Sequence, residues 1–88
     1  MGFLEEHVIP GLHGKTFTVD FQNEYEFEKI QPDLEAIPGI RSVSFDQYVQ
    51  PHEIIVYASD LVDQRHVQQV VRSYGYHALP KKLFAIGN

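Results

Sequence analysis

Two kinds of hydrophobic period alternate along residues 16–79, and their order is the strongest constraint this chain places on its fold. Thr16–Phe21 has period 2, with Phe17, Val19 and Phe21 on one face and Thr16, Thr18 and Asp20 on the other. That is the signature of a half-buried strand. Phe27, Ile30, Leu34 and Ile37 then recur at spacings of three and four, the stripe of an amphipathic helix. Period 2 returns in Ile40–Asp46, and Gln47–His52 with Pro51 reads as a turn into a third strand, Glu53–Ala58. A second helical stripe follows in Val67, Val70, Val71 and Tyr74, and Tyr76–Leu79 is short but sufficient for a fourth strand.

Local signals place the helix ends. Pro38-Gly39 stops the first stripe, Asp60 reads as the N-cap of the second, and Gly75 sits where a left-handed C-terminal cap belongs. Pro32 conflicts with this pattern. Inside a helix it removes an N–H and crowds the carbonyl of Glu28, at a cost of about 3 kcal/mol. The first helix is therefore expected to be short or broken, kinked at Pro32 or starting late with Pro32 in its first turn; Leu34 and Ile37 keep their spacing either way.

Two β-α-β units with right-handed crossovers give a ferredoxin-like βαββαβ sandwich of the α+β class. A four-stranded antiparallel sheet carries both helices on one face. The 88 residues allow one such domain with one modest core. The expected organisation is an N-terminal extension (1–15), the domain (16–79) and a C-terminal extension (80–88). Both extensions carry apolar residues, among them Val8, Ile9, Leu83, Phe84 and Ile86, that need burial. Val8-Ile9-Pro10-Gly11 and Leu83–Ile86 can meet by pairing with each other, by extending the sheet edge, or by crossing to a second copy. Self-association or a protein partner is expected there.

Composition excludes several functions. The chain has no cysteine, which removes disulfides, thiolate metal sites and thiol nucleophiles together. Net charge is −5, and no Lys/Arg cluster exceeds Lys81-Lys82, so no phosphate-backbone footprint is visible and nucleic acid is not an expected partner. Apolar runs such as Ile54–Ala58 fall far short of the ~20 residues that cross a bilayer, so no membrane association is expected. The N-terminus lacks the basic start and apolar stretch of a signal peptide, which makes the cytoplasm the expected compartment.

Pro38-Gly39-Ile40 followed by Ser42-Val43 resembles the P-G-V-x-S-V helix-to-strand turn of the heavy-metal-associated (copper-chaperone) domain family, and Tyr74-Gly75-Tyr76 resembles the G-Y that ends that family's second helix. The resemblance covers residues 16–79, about three quarters of the chain. It implies the fold already given and a metal loop, Met-x-Cys-x-x-Cys, between the first strand and first helix. Counting back from Pro38 places that loop at Phe21–Glu26, with Phe21 for the methionine and Asn23 and Glu26 at the two cysteine positions. Soft-metal ligation as the family performs it is therefore lost.

Asn23 and Glu26 have a reading of their own. Asn23-x-x-Glu26 is a capping-box pattern, in which Asn23 accepts an N–H of the first turn and Glu26 returns to the cap's N–H. Glu24, Glu26 and Glu28 also suit the positive end of a helix. The five histidines (His7, His13, His52, His66, His77) show no ligand spacing; His66 reads as a half-exposed helix residue and His52 as a solvated turn residue. In the family's fold His77 lies near the metal loop, which puts it within reach of Glu26. Carboxylate with imidazole suits zinc or nickel better than copper(I), but a third ligand would have to come from His7, His13 or another chain.

The expected function is a small non-enzymatic binding or interaction domain with no cofactor, in which metal binding is absent or uses His and carboxylate ligands. Its candidate binding residues are Asn23, Glu26 and His77. The alternative is a small dimeric α+β-barrel enzyme with a histidine in a buried cavity, using His66, Tyr57 and Tyr74, with imidazole as general base. A ligand-sensing regulatory domain ranks last, because Gln22-Asn23-Glu24-Tyr25 lacks the glycine such turns carry.

Overall fold

The computed structural model describes residues 14–81 and the backbone of Val8–Ile9. In chain order the elements are β1 (Val8–Ile9), β2 (Lys15–Val19), α1 (Glu24–Glu35), β3 (Ile40–Asp46), β4 (Glu53–Ala58), β5 (Val62–Asp63), α2 (Gln64–Ser73) and β6 (Ala78–Pro80). The main sheet has the order β3-β4-β2-β6, antiparallel throughout. This is the ferredoxin-like α+β arrangement the sequence pattern calls for, and it follows from two β-α-β units interleaved with their first strands side by side.

The core lies between the sheet and the helices. Phe17 and Val19 from β2, Val43 from β3, and Ile54, Val56 and Ala58 from β4 face Phe27, Ile30 and Leu34 of α1 and Val67 and Val71 of α2, all buried. Alternate sheet positions, including Thr16, Thr18, Ser42, Ser44, Ile55 and Tyr57, form the opposite face. There Lys81 Nζ meets Glu53 Oε2 at 2.7 Å. Among the described residues no helix is long and apolar enough to cross a membrane.

Four expectations are corrected. α1 runs unbroken over twelve residues from Glu24, so Pro32 neither delays nor interrupts it. Pro32 sits close to the helix end, where its carbonyl still accepts Ala36 N–H at 3.0 Å. Burial of Leu34 and Ile37 beyond it holds the last turn in place, and packing outweighs the single missing hydrogen bond. The N-cap of α2 is Asp63, whose Oδ1 accepts Arg65 N–H at 2.9 Å, whereas Asp60 Oδ1 accepts only Leu61 N–H at 2.8 Å. The helix starts late because Val62–Asp63 is engaged as a strand. Its partner is Val8–Ile9, antiparallel, with Val8 opposite Asp63 and Ile9 opposite Val62. Among the described residues Val8–Ile9 thus pairs with β5 and not with an edge of the main sheet; the expected pairing with Leu83–Ile86 falls on residues 82–88, outside the described residues. Finally, the first and last strands of the main sheet are shifted. β2 stops at Val19, beyond which Asp20 Oδ1 accepts the His77 N–H at 2.8 Å, and β6 starts only at Ala78.

The end of α2 follows the expected left-handed cap. Gly75 (φ +90°) lets Gly75 N–H reach Arg72 C=O at 2.9 Å and Tyr76 N–H reach Val71 C=O at 3.2 Å, the paired bonds of a Schellman motif. Gly39 (φ +94°) lies in a separate turn that leads into β3, closed by Ile40 N–H on Ile37 C=O at 3.0 Å and set against Val62.

Each helix also closes the edge strand that follows it. From α1, Gln31 Nε2 donates to Val43 C=O at 3.2 Å and Glu35 Oε2 accepts Val43 N–H at 3.1 Å. From α2, Gln68 Nε2 donates to Ala78 C=O at 2.9 Å. Pro80, with no N–H, further blunts the β6 edge.

Candidate functional site

The residues singled out from the sequence gather at the N-terminal end of α1. Asn23 is extended (φ −160°, ψ 174°) and its Oδ1 accepts Glu26 N–H at 3.0 Å. The Glu26 carboxylate turns back to Gln22 N–H at 2.7 Å, one residue before the expected cap N–H. The box is thus reciprocal but one residue wider, and both side chains are engaged in starting the helix. The Tyr76 phenol is pushed above its ordinary value by burial first and then by the nearby Glu26 and Asp20 carboxylates.

Under this loop lies an aromatic cluster. Phe21 is buried, with Tyr76 edge-on at 5.2 Å, Phe45 at 6.0 Å and Phe27 at 6.2 Å between ring centroids. Phe27 stacks on Phe45 at 5.3 Å, and His52 meets Phe45 edge-on at 5.5 Å. His52 is not the solvated turn residue expected. It is half-buried, its Nδ1 lies 2.9 Å from the Phe21 carbonyl and its Nε2 lies 3.0 Å from Gln50. The aromatic identities were visible in the sequence, but their meeting brings together α1, β3 and the three connections before α1, β4 and β6.

His77 pairs with Asp20, not with Glu26. Its backbone N–H donates to Asp20 Oδ1 at 2.8 Å and its Nδ1 lies 3.0 Å from Asp20 Oδ2. Burial alone would push the Asp20 carboxyl up, but the backbone and side-chain hydrogen bonds from His77, a bond to its own backbone and the His77 charge together outweigh it and hold the carboxyl below its ordinary value. Asp20 was missed because its partner lies 57 residues away, beyond any spacing rule. Among the described residues no group of three or more His, Asp or Glu side chains is arranged to hold a metal ion. His7 and His13 lie outside the described residues.

The residues of the alternative site are separated. Tyr57 lies on the sheet face away from the helices, and His66 is exposed on α2. Tyr74 donates its hydroxyl to an Asp33 carboxylate oxygen, and that bond, ahead of desolvation, raises its phenol above the ordinary value. A groove of about 240 Å³ opens elsewhere, between α2 and β6. Arg65, Gln68 and Arg72 form one wall, His77 and Leu79 the other. The seven-residue spacing of Arg65 and Arg72, which puts both on one helix face, is the sequence signal for it.

No family model, no curated protein and no solved structure matches the chain.

Proposed function

We propose that this chain is a small non-enzymatic interaction domain, similar in design to a heavy-metal-associated domain but without its soft-metal chemistry, and that it works in the cytoplasm through contact with a protein partner. The observation that carries this reading is the state of the α1 loop. Asn23 and Glu26, which stand at the two cysteine positions implied by the resemblance, each commit an oxygen, Oδ1 and Oε1, to a backbone N–H group. Phe21, in place of the methionine, is buried in the aromatic cluster.

A carrier loop needs ligands that are accessible and unspent, and this one has been turned into a helix start over a packed floor. His77 could add one nitrogen, but Asp20 already holds its Nδ1. Closed zinc sites want four ligands and open ones three. Calorimetric titration with zinc, nickel and copper(I) tests the reading. No binding tighter than millimolar is expected, and micromolar binding of any of the three would refute it.

A further inference from the structure

We propose that His77 is a covalent acyl acceptor, its Nε2 taking the acyl group of an activated, uncharged donor such as a thioester or aryl ester. This goes beyond the interaction-domain reading and does not depend on it. Among the described residues three histidines can be compared, and their surroundings set them apart. At His52 both ring nitrogens are engaged, Nδ1 with the Phe21 carbonyl and Nε2 with Gln50. His66 is exposed on α2, and neither of its nitrogens has a partner among the described residues. Only His77 of the three combines a held nitrogen with a free one.

A carboxylate oxygen only accepts, so Asp20 Oδ2, 3.0 Å from Nδ1, fixes the ring proton there. The lone pair of the neutral imidazole is thereby left on Nε2. The other oxygen, Oδ1, takes the His77 backbone N–H at 2.8 Å, so one carboxylate grips the same residue twice. Asp20 and His77 lie one step beyond the Val19–Ala78 pair of the β2–β6 ladder, which sets the dyad on a rigid support. The His77 side chain is 69% exposed, so a reagent can reach the ring. A carboxylate on one nitrogen also supports the positive charge that grows on the ring as the other nitrogen forms a bond.

The groove beside His77 decides the class of donor. Its two guanidinium groups, Arg65 and Arg72, are balanced by the carboxylates of Asp63, on Arg65, and Asp20, on His77. No net attraction for an anion remains, and Asp20 next to the ring disfavours a phosphoryl donor. Leu79, 62% exposed on the same groove, offers apolar surface to an acyl chain. Nε2 attacks the carbonyl carbon, the N–C bond forms, and the C–S or C–O bond breaks, with the thiolate or aryloxide leaving with the electron pair. The resulting acyl-imidazolium keeps its Nδ1 proton against Asp20. Water then cleaves the N–C bond, which yields the carboxylic acid, releases one proton to solvent and returns the lone pair to Nε2.

The test is timed acylation of the full chain with diethyl pyrocarbonate, an uncharged acyl donor, at about pH 8, where an ordinary imidazole is neutral. Peptide mass spectrometry follows each histidine separately, and His66 serves as the exposed imidazole without a carboxylate. His77 is expected to react about tenfold faster than His66, the order that a charge-assisted hydrogen bond is worth. Ring-nitrogen NMR should place the adduct on Nε2, and hydroxylamine should remove it. In Asp20→Asn the His77 rate should fall to that of His66. Equal rates in the parent chain, an adduct on Nδ1, or a ratio that Asp20→Asn leaves unchanged would overturn the proposal; the parent ratio decides by itself if the variant fails to fold. A larger His77-to-His66 ratio with phosphoramidate than with diethyl pyrocarbonate would overturn it too, by reassigning the site to phosphoryl donors.

Discussion

Glu35 Oε2 accepts the backbone N–H of Val43 at 3.1 Å, so a helix carboxylate occupies a position where a neighbouring strand would otherwise pair. Gln31 Nε2 binds both that carboxylate, at 3.2 Å, and the Val43 carbonyl, so one residue of the β3 edge has both backbone groups satisfied. A free edge is a template for association. Glu35→Ala should cost about 1 kcal/mol of stability, read by urea denaturation. It should also raise the fraction of dimer and larger species in sedimentation velocity. An unchanged midpoint together with an unchanged monomer peak would show that the plug has no role.

Asn23→Ala should lower stability by about 1 kcal/mol, the usual cost of losing a side-chain N-cap, while Asn23→Asp or Asn23→Ser should leave it nearly unchanged. Urea midpoints of the three variants decide the point. If Asn23→Ala were harmless, or if Asn23→Asp were equally damaging, helix capping would not be what Asn23 contributes.

How far this architecture could be read from the chain depends on the range of the interaction. The strands and helical stripes rest on local periods, so Phe17-Val19 and Phe27-Ile30-Leu34 appear in the core as their spacing requires. The Asn23–Glu26 cap and the Gly75 turn are equally local. Errors arose where a distant segment outcompeted a local preference. Asp60 is as good a cap as Asp63, but pairing of Val62–Asp63 with Val8–Ile9 moves the helix start. Pro32 opposes a helix locally, yet the buried side chains on either side of it keep one. In the candidate site, Asn23 and Glu26 could be placed from the chain alone, whereas the Asp20–His77 pair and the α2–β6 groove depend on strand order.

The Asp20 carboxyl is held below its ordinary value, which makes stability depend on acid in a defined direction. A group with a depressed folded-state value binds its proton more readily when unfolded. Its stabilising effect is therefore present above the unfolded value of about 3.9 and is lost as pH falls through the lower folded value. Asp20→Asn should flatten that part of the acid denaturation curve and leave its neutral limb parallel to the parent. A curve for Asp20→Asn that superimposes on the parent below pH 4 would mean the His77 contacts do not favour the carboxylate.

Gly75 and Gly39 share a positive φ but differ in their surroundings, so alanine at each separates backbone strain from steric clash. At Gly75 an added Cβ meets nothing within 4 Å, and the substitution carries only the left-handed penalty, about 1 kcal/mol. At Gly39 the same Cβ would lie 2.7 Å from Val62 Cγ2, next to the strand that delays α2. Relief requires Val62, which is buried, to move, and with it the β1–β5 pairing. Gly39→Ala should therefore cost clearly more than Gly75→Ala, with faster amide exchange at Val62 and Asp63 as its specific mark. Equal losses in urea, with exchange at Val62 and Asp63 unchanged, would mean that the turn after α1 and the start of α2 are not mechanically joined.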